Sequence, residues 1–130
     1  MKKEVLYISV FLAILLIIFF IVRSLKVTDA KIEEFAEKEV SLILHDPYTA
    51  KFTNVTVSKK NEDKNSSVTY RVCGFVNSKN LYGAYTGNKQ FYMLILSSGG
   101  SISTLNKPMI EDSRTYGGIV SQLCNEWMSR

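Results

Sequence analysis

The hydrophobic pattern divides the chain in two. From Val5 to Val22 there are 18 consecutive residues without a charge, reading VLYISVFLAILLIIFFIV. As an α-helix this run is about 27 Å long, close to the hydrocarbon thickness of a bilayer. A secretory signal peptide has a shorter apolar core, about 7–15 residues, followed by a small-x-small cleavage pattern. Here the run ends in Arg23-Ser24-Leu25-Lys26 with no such pattern, and no cysteine follows it as lipoprotein processing requires. The reading is an uncleaved membrane anchor over residues 1–26 and a separate domain over residues 27–130.

Beyond the anchor the apolar period changes. Ile32, Phe35, Ala36, Val40 and Ile43 recur at three- and four-residue spacing, one apolar stripe of a helix. Thr28 or Asp29 caps it, Glu33 and Glu34 suit the positive end of its dipole, and Pro47 predicts a stop around His45-Asp46. No residue between Val22 and Thr28 is a strong breaker, so the membrane helix is expected to run almost directly into this one. Strand patterns follow. Phe52 to Ser58 is rich in β-branched residues, and Lys59 to Asn65 reads as a solvated turn. Val68, Tyr70, Val72 and Val76 alternate with Thr69, Arg71, Cys73 and Phe75, and Gly74 marks a bulge or a close approach. Phe91 to Leu96 is a near-continuous apolar run, expected to be a central strand buried on both faces. Ser97-Ser98-Gly99-Gly100 is a hairpin turn, Ser101 to Leu105 its return strand, and a polar loop follows Pro108. Tyr116, Val120, Leu123, Cys124 and Trp127 mark a carboxy-terminal helix. The predicted fold is α+β: an N-terminal transmembrane helix, then helix, four-stranded antiparallel sheet and helix, with the helices on one face of the sheet.

Charge sharpens the division. Of 16 basic and 12 acidic residues, four basic and one acidic lie in residues 1–26. That leaves 12 basic and 11 acidic, a net +1, for residues 27–130. A nucleic-acid-binding domain concentrates positive charge in its folded part, and this one does not. Basic residues flank the apolar run on both sides, so they orient it only weakly. The cysteines are more informative. Cys73 and Cys124 are the only two in the chain, and an even pair beyond an anchor predicts a disulfide in an oxidising compartment. Closing that loop stabilises a small domain by about 4 kcal/mol in the chain-entropy treatment. Residues 27–130 are therefore expected outside the cytoplasm, which in a bacterium means the periplasm.

No pattern announces catalysis or a cofactor. His45 is the sole histidine, and with two cysteines it makes too few, too scattered ligands for zinc. A Cys–His nucleophile would need His45 beside Cys73 or Cys124, and those thiols are better used in each other. There is no nucleophile elbow, phosphate-cradling glycine loop or zincin motif, no small-molecule substrate is evident, and Asp63, Glu111 and Asp112 read as solvated charges. The distinctive stretch is Asn77 to Phe91, NSKNLYGAYTGNKQF. Tyrosines provide rigid contact area, while glycine and asparagine shape turns and hydrogen-bond, a mixture found in protein-recognition loops. Asn77, Lys79, Asn80, Tyr82, Tyr85 and Lys89 are its candidate partner-binding residues. The competing reading is structural, with glycines at positive φ and tyrosines packed on the sheet.

DPYTAKF at residues 46–52 and VCGFVNSKNLYGAYTGNKQF at residues 72–91 give the chain a resemblance. It resembles a group of small exported bacterial and prophage proteins, in which D-P-x-[ST]-A-x-F precedes V-C-G-x-V-N-x-K-N-x-x-G-x-Y-T-G. The resemblance covers about 40 residues and implies export and fold more than activity. For membrane-anchored prophage proteins of this size it implies superinfection exclusion, the blocking of incoming phage DNA at the inner membrane. The expected function is a non-enzymatic recognition domain, held to the bacterial inner membrane by a single span and binding a periplasmic or inner-membrane protein. The alternatives are a pilin-like or other structural envelope subunit, which lacks support from a prepilin processing signal, and a toxin-immunity protein.

Overall fold

The structure, a computed structural model, describes residues 2–24, 27–62, 67–112 and 117–126. Helix α1 runs Lys2–Ser24 and contains the stretch Lys3–Val22, long and apolar enough to cross a membrane. None of that stretch is buried against the rest of the protein. A core helix of this composition would be covered by protein. α1 is instead compatible with a membrane anchor or a signal segment.

Helix α2, Asp29–Ser41, starts anew rather than continuing α1. Thr28 is extended (φ −99°, ψ 157°) and its Oγ1 accepts from the Lys31 N–H, so it is an N-cap, and a cap ends any continuous helix upstream. Leu25 and Lys26 lie outside the described residues. α2 also stops four residues short of His45. The Ser41 hydroxyl donates back to the Glu37 carbonyl, and the Leu42 N–H reaches both the Lys38 and Val40 carbonyls, tightening the last turn. Ile43 thus falls past the helix and is exposed, while Ile32, Ala36 and Val40 have no solvent exposure at all. A single 3₁₀ turn, Pro47–Thr49, then leads into the sheet.

The sheet is antiparallel, in the order β1 (Lys51–Glu62), β2 (Val68–Asn77), β3 (Lys89–Ser98), β4 (Ser101–Thr104). A short β5, Met109–Ile110, pairs with the first residues of β3, beside which β4 does not reach. It lies where the sequence reads as polar loop, because its two residues are held by pairing with a distant strand and not by local pattern. Lys59 to Glu62, expected in a turn, extend β1 and pair with Val68 to Tyr70 and so continue the ladder. Of the expected turn, Asp63, Lys64 and Asn65 lie outside the described residues. Gly99 and Gly100, both at positive φ, close the β3–β4 hairpin as a two-residue type I′ turn demands.

Gly74 is a point of close approach. A Cβ there would stand 2.9 Å from Cε1 of Phe91 and 3.1 Å from Cα of Val55. The bulge itself belongs to β1, between Thr53 and Thr56, where Asn54 takes a left-handed conformation (φ 51°) that asparagine tolerates. Phe91 lies over the glycine and meets Phe52 edge-on, with ring centroids 5.8 Å apart.

The sheet is covered on both faces, not one. Tyr70, Val72 and Val76 of β2 with Phe91, Met93 and Ile95 of β3 form the larger core against Ile32, Ala36 and Val40 of α2. The alternate residues face the other way. Tyr92, with Cys73 and Leu94, packs against Val120, Leu123 and Cys124 of α3, Ile119–Asn125. The period-two alternation of a strand requires this once both residue sets are apolar. Tyr116 and Trp127, assigned to this helix from sequence, lie outside the described residues.

Candidate functional site

β2 and β3 are joined by Ser78–Asn88, an 11-residue tongue held together by its own side chains. The Asn80 Oδ1 accepts from the Tyr82 N–H (3.0 Å) and the Ala84 N–H (3.1 Å). The Asn80 carbonyl accepts from Gly83 and its N–H donates to the Ala84 carbonyl, so one asparagine ties four backbone groups. Gly83 at φ 79° completes the turn at the tip. At the base, the Asn77 Oδ1 accepts from the Gly87 N–H, and the Ser78 carbonyl accepts from both the N–H and the hydroxyl of Thr86. A bridge from Lys79 to Tyr85 pairs the two limbs, and the Lys79 N–H donates to the Thr49 hydroxyl, fastening the tongue to the 3₁₀ turn.

These contacts sort the candidate residues. Asn77 and Asn80 spend their side-chain carbonyls on the tongue's backbone, so they shape the loop. Tyr85 lies beneath two cations, with Lys51 Nζ 4.5 Å and Lys79 Nζ 5.5 Å from its ring centroid. Lys89 is the first residue of β3, paired with Val76. Tyr82 points away from the protein: it is 93% exposed, its neighbour Leu81 79%. The 3₁₀ turn adjoining the tongue presents Tyr48 at 99% exposure. Sequence reasoning does not single out Tyr48 and Leu81, because an isolated apolar residue in a loop has no period to reveal whether it points in or out.

The tongue stands at one end of the domain. Asp29, at the start of α2, pairs with Lys59 in the later half of β1 (3.6 Å), whereas the end of α2 leads back to Lys51 at the beginning of β1. α2 is about 20 Å long. Val27, where the chain leaves the apolar segment, and the tongue are therefore at opposite ends.

Beneath the tongue is a cavity of about 290 Å³. Its apolar side is Ile43, Leu44, Val76, Pro108 and Ile110, and its polar side is His45, Ser78, Lys79, Asn80, Thr86, Lys89 and Asp112. His45 is thus far from both cysteines, which are joined to each other on the α3 face with their Cα atoms 6.0 Å apart. Glu111, next to Asp112, serves α3 instead. Its carboxylate accepts from the Gly118 N–H and from the N–H and hydroxyl of Ser121, at the start of that helix. At the other end of α3 the Arg71 guanidinium donates to the Leu123 carbonyl. Burial pushes Arg71 below the usual guanidinium value, opposed by Tyr92 and Glu126, and pushes the Tyr92 phenol up, opposed by Arg71. Among the described residues no three His, Cys, Asp or Glu side chains converge as metal ligands.

No protein-family model, curated protein or solved structure matches this chain.

Proposed function

We propose that this chain is a non-enzymatic recognition protein. An uncleaved α1 holds it in the bacterial inner membrane, and residues 27–130 stand in the periplasm, where the tongue binds a protein partner. The observation that carries the reading is the tip. Leu81 and Tyr82 are large, apolar and almost wholly in water, on a loop whose backbone is locked by Asn80. A tip ordered in this way offers a partner rigid contact area at low entropy cost. Its place at the end of the domain remote from Val27 supports presentation away from the membrane. The Cys73–Cys124 disulfide supports an oxidising compartment. Tethering keeps the domain concentrated at the membrane, as suits the prophage superinfection exclusion that the resemblance implies.

The test begins with location: alkaline phosphatase fused after Arg130 is active if the domain is periplasmic. Cells producing the chain are then challenged with phage. Tyr82→Ala combined with Leu81→Ser abolishes protection while the melting temperature and membrane level stay unchanged, and Glu34→Ala on α2 retains it. Protection that survives the double substitution at the tip would overturn the assignment.

A further inference from the structure

The cavity beneath the tongue has a charge pattern that the recognition reading does not use. Lys79 and Lys89 both line it, both are half-buried, and neither has a carboxylate partner among the described residues. A half-buried lysine lays its stem along the lining and keeps its ammonium solvated, so an ammonium with no carboxylate beside it is left to water or to a ligand. The Tyr85 ring beside Lys79 attracts the ammonium but does not neutralise it. His45 adds a third nitrogen donor or acceptor, and Asp112 contributes the only carboxylate among the described residues of the lining. Among the described residues the lining therefore carries two fixed positive charges against one negative, in a domain whose overall charge is nearly balanced. Leu44, Val76 and Ile110 give the lining its apolar wall, with Val76 directly beside Lys89 across the β2–β3 ladder.

We infer that this cavity binds an oxyanion, carboxylate or phosphate, carried on a small apolar body. Lys79 and Lys89 would meet the anion and the apolar wall would take the body. At about 290 Å³ the cavity falls at the lower end of small-molecule sites, enough for a short aliphatic acid and too small for a nucleotide. The hydroxyl of Thr86 is already committed to the Ser78 carbonyl, and the ammonium groups of Lys79 and Lys89 are the charged donors that the described lining offers a ligand. The inference is independent of the tip's role, because Tyr82 and Leu81 do not line the cavity.

The test uses the full chain, isotope-labelled in lipid nanodiscs, titrated separately with butanoate, butyl phosphate, inorganic phosphate and the neutral butanamide. The expected result is saturable shifts of the Ser78, Lys79, Asn80 and Lys89 amides with at least one of butanoate and butyl phosphate. The tighter of the two identifies the group, and inorganic phosphate binds more weakly than butyl phosphate if the apolar wall contributes. Lys89→Gln and Lys79→Gln each weaken binding about tenfold, whereas Lys89→Arg preserves it. Unchanged amide positions in α3 show that a variant is folded. Comparable binding of butanamide, absence of saturation with both butanoate and butyl phosphate, or full affinity in both folded Lys→Gln variants would each overturn the inference.

Discussion

On one face of the sheet α2 lays Ile32, Ala36 and Val40 against six buried side chains of β2 and β3, and no covalent bond or ion pair joins the buried residues. On the other, α3 has seven residues and buries only Val120 and Cys124. It is held by a disulfide to Cys73, by Glu111 at its first turn and by Arg71 at its last. It covers part of its face, leaving a groove of about 490 Å³ over Thr56, Arg71 and Phe75. A long amphipathic helix is retained by area alone. A helix of two turns buries too little to offset its ordering cost and needs attachments at each end. The α2 face is therefore the part of this domain that folds by burial, and the α3 face the part that folds by being stapled.

The sharpest way to break that comparison is to cut the staple. Replacing Cys73 and Cys124 together by Ser costs about 4 kcal/mol in denaturant unfolding. Amide protection is lost across residues 119–125 well before residues 32–40 exchange. Simultaneous loss on both faces would show that the sheet itself depends on α3. The next largest effect tests the opposite face. Gly74→Ala forces a methyl into the contact of Phe91 and Val55 and destabilises by about 2 kcal/mol, measured in the same way. Because the clash is with backbone as well as a ring, it also perturbs the amides of Val55 and Phe91. Glu111→Ala removes the carboxylate from the start of α3 and costs about 1 kcal/mol. The loss is confined to α3 exchange, while the cavity beside Asp112 keeps its shape. Smallest is Glu37→Gln on α2. Burial first, then Glu33 and Glu34, hold the Glu37 carboxyl above the usual carboxylate range. A raised folded value means the native state prefers the protonated acid. Its stabilising contribution is present at acid pH and disappears as pH rises through the folded value. The Gln variant is thus more stable than the parent at neutral pH by a few tenths of a kcal/mol, given solvent screening, and matches it below the usual carboxylate range.

Most of the architecture is legible in local patterns. The 18-residue apolar run, the stripe Ile32-Ala36-Val40, the alternation in β2 and the Gly99-Gly100 turn each follow from nearest-neighbour physics, and each is found in the structure. The failures share a cause. Ser41 ends α2 through a side-chain bond back to Glu37, Lys59 to Glu62 become strand because β2 is long enough to pair with them, and Met109–Ile110 are held by the edge of β3. In each case a hydrogen-bond partner, close or remote, outweighs the tendency of the residues themselves.

The candidate site divides in the same way. That the stretch from Asn77 to Phe91 is unusual is visible from its tyrosines, glycines and asparagines. That Asn77 and Asn80 build the loop while Tyr82 faces solvent is not, because composition does not distinguish a side chain turned to its own backbone from one turned outward. The cavity is least visible of all, since Leu44, Val76, Lys89 and Ile110 come from four segments that only folding brings together. The order of residues alone specifies a lipid-compatible helix, an amphipathic helix and an alternating sheet, because hydrophobic period and turn chemistry are local properties. Folding settles which face each helix covers, which loop side chains meet water, and where two lysines share a hollow. Those outcomes depend on contacts between residues far apart in the chain.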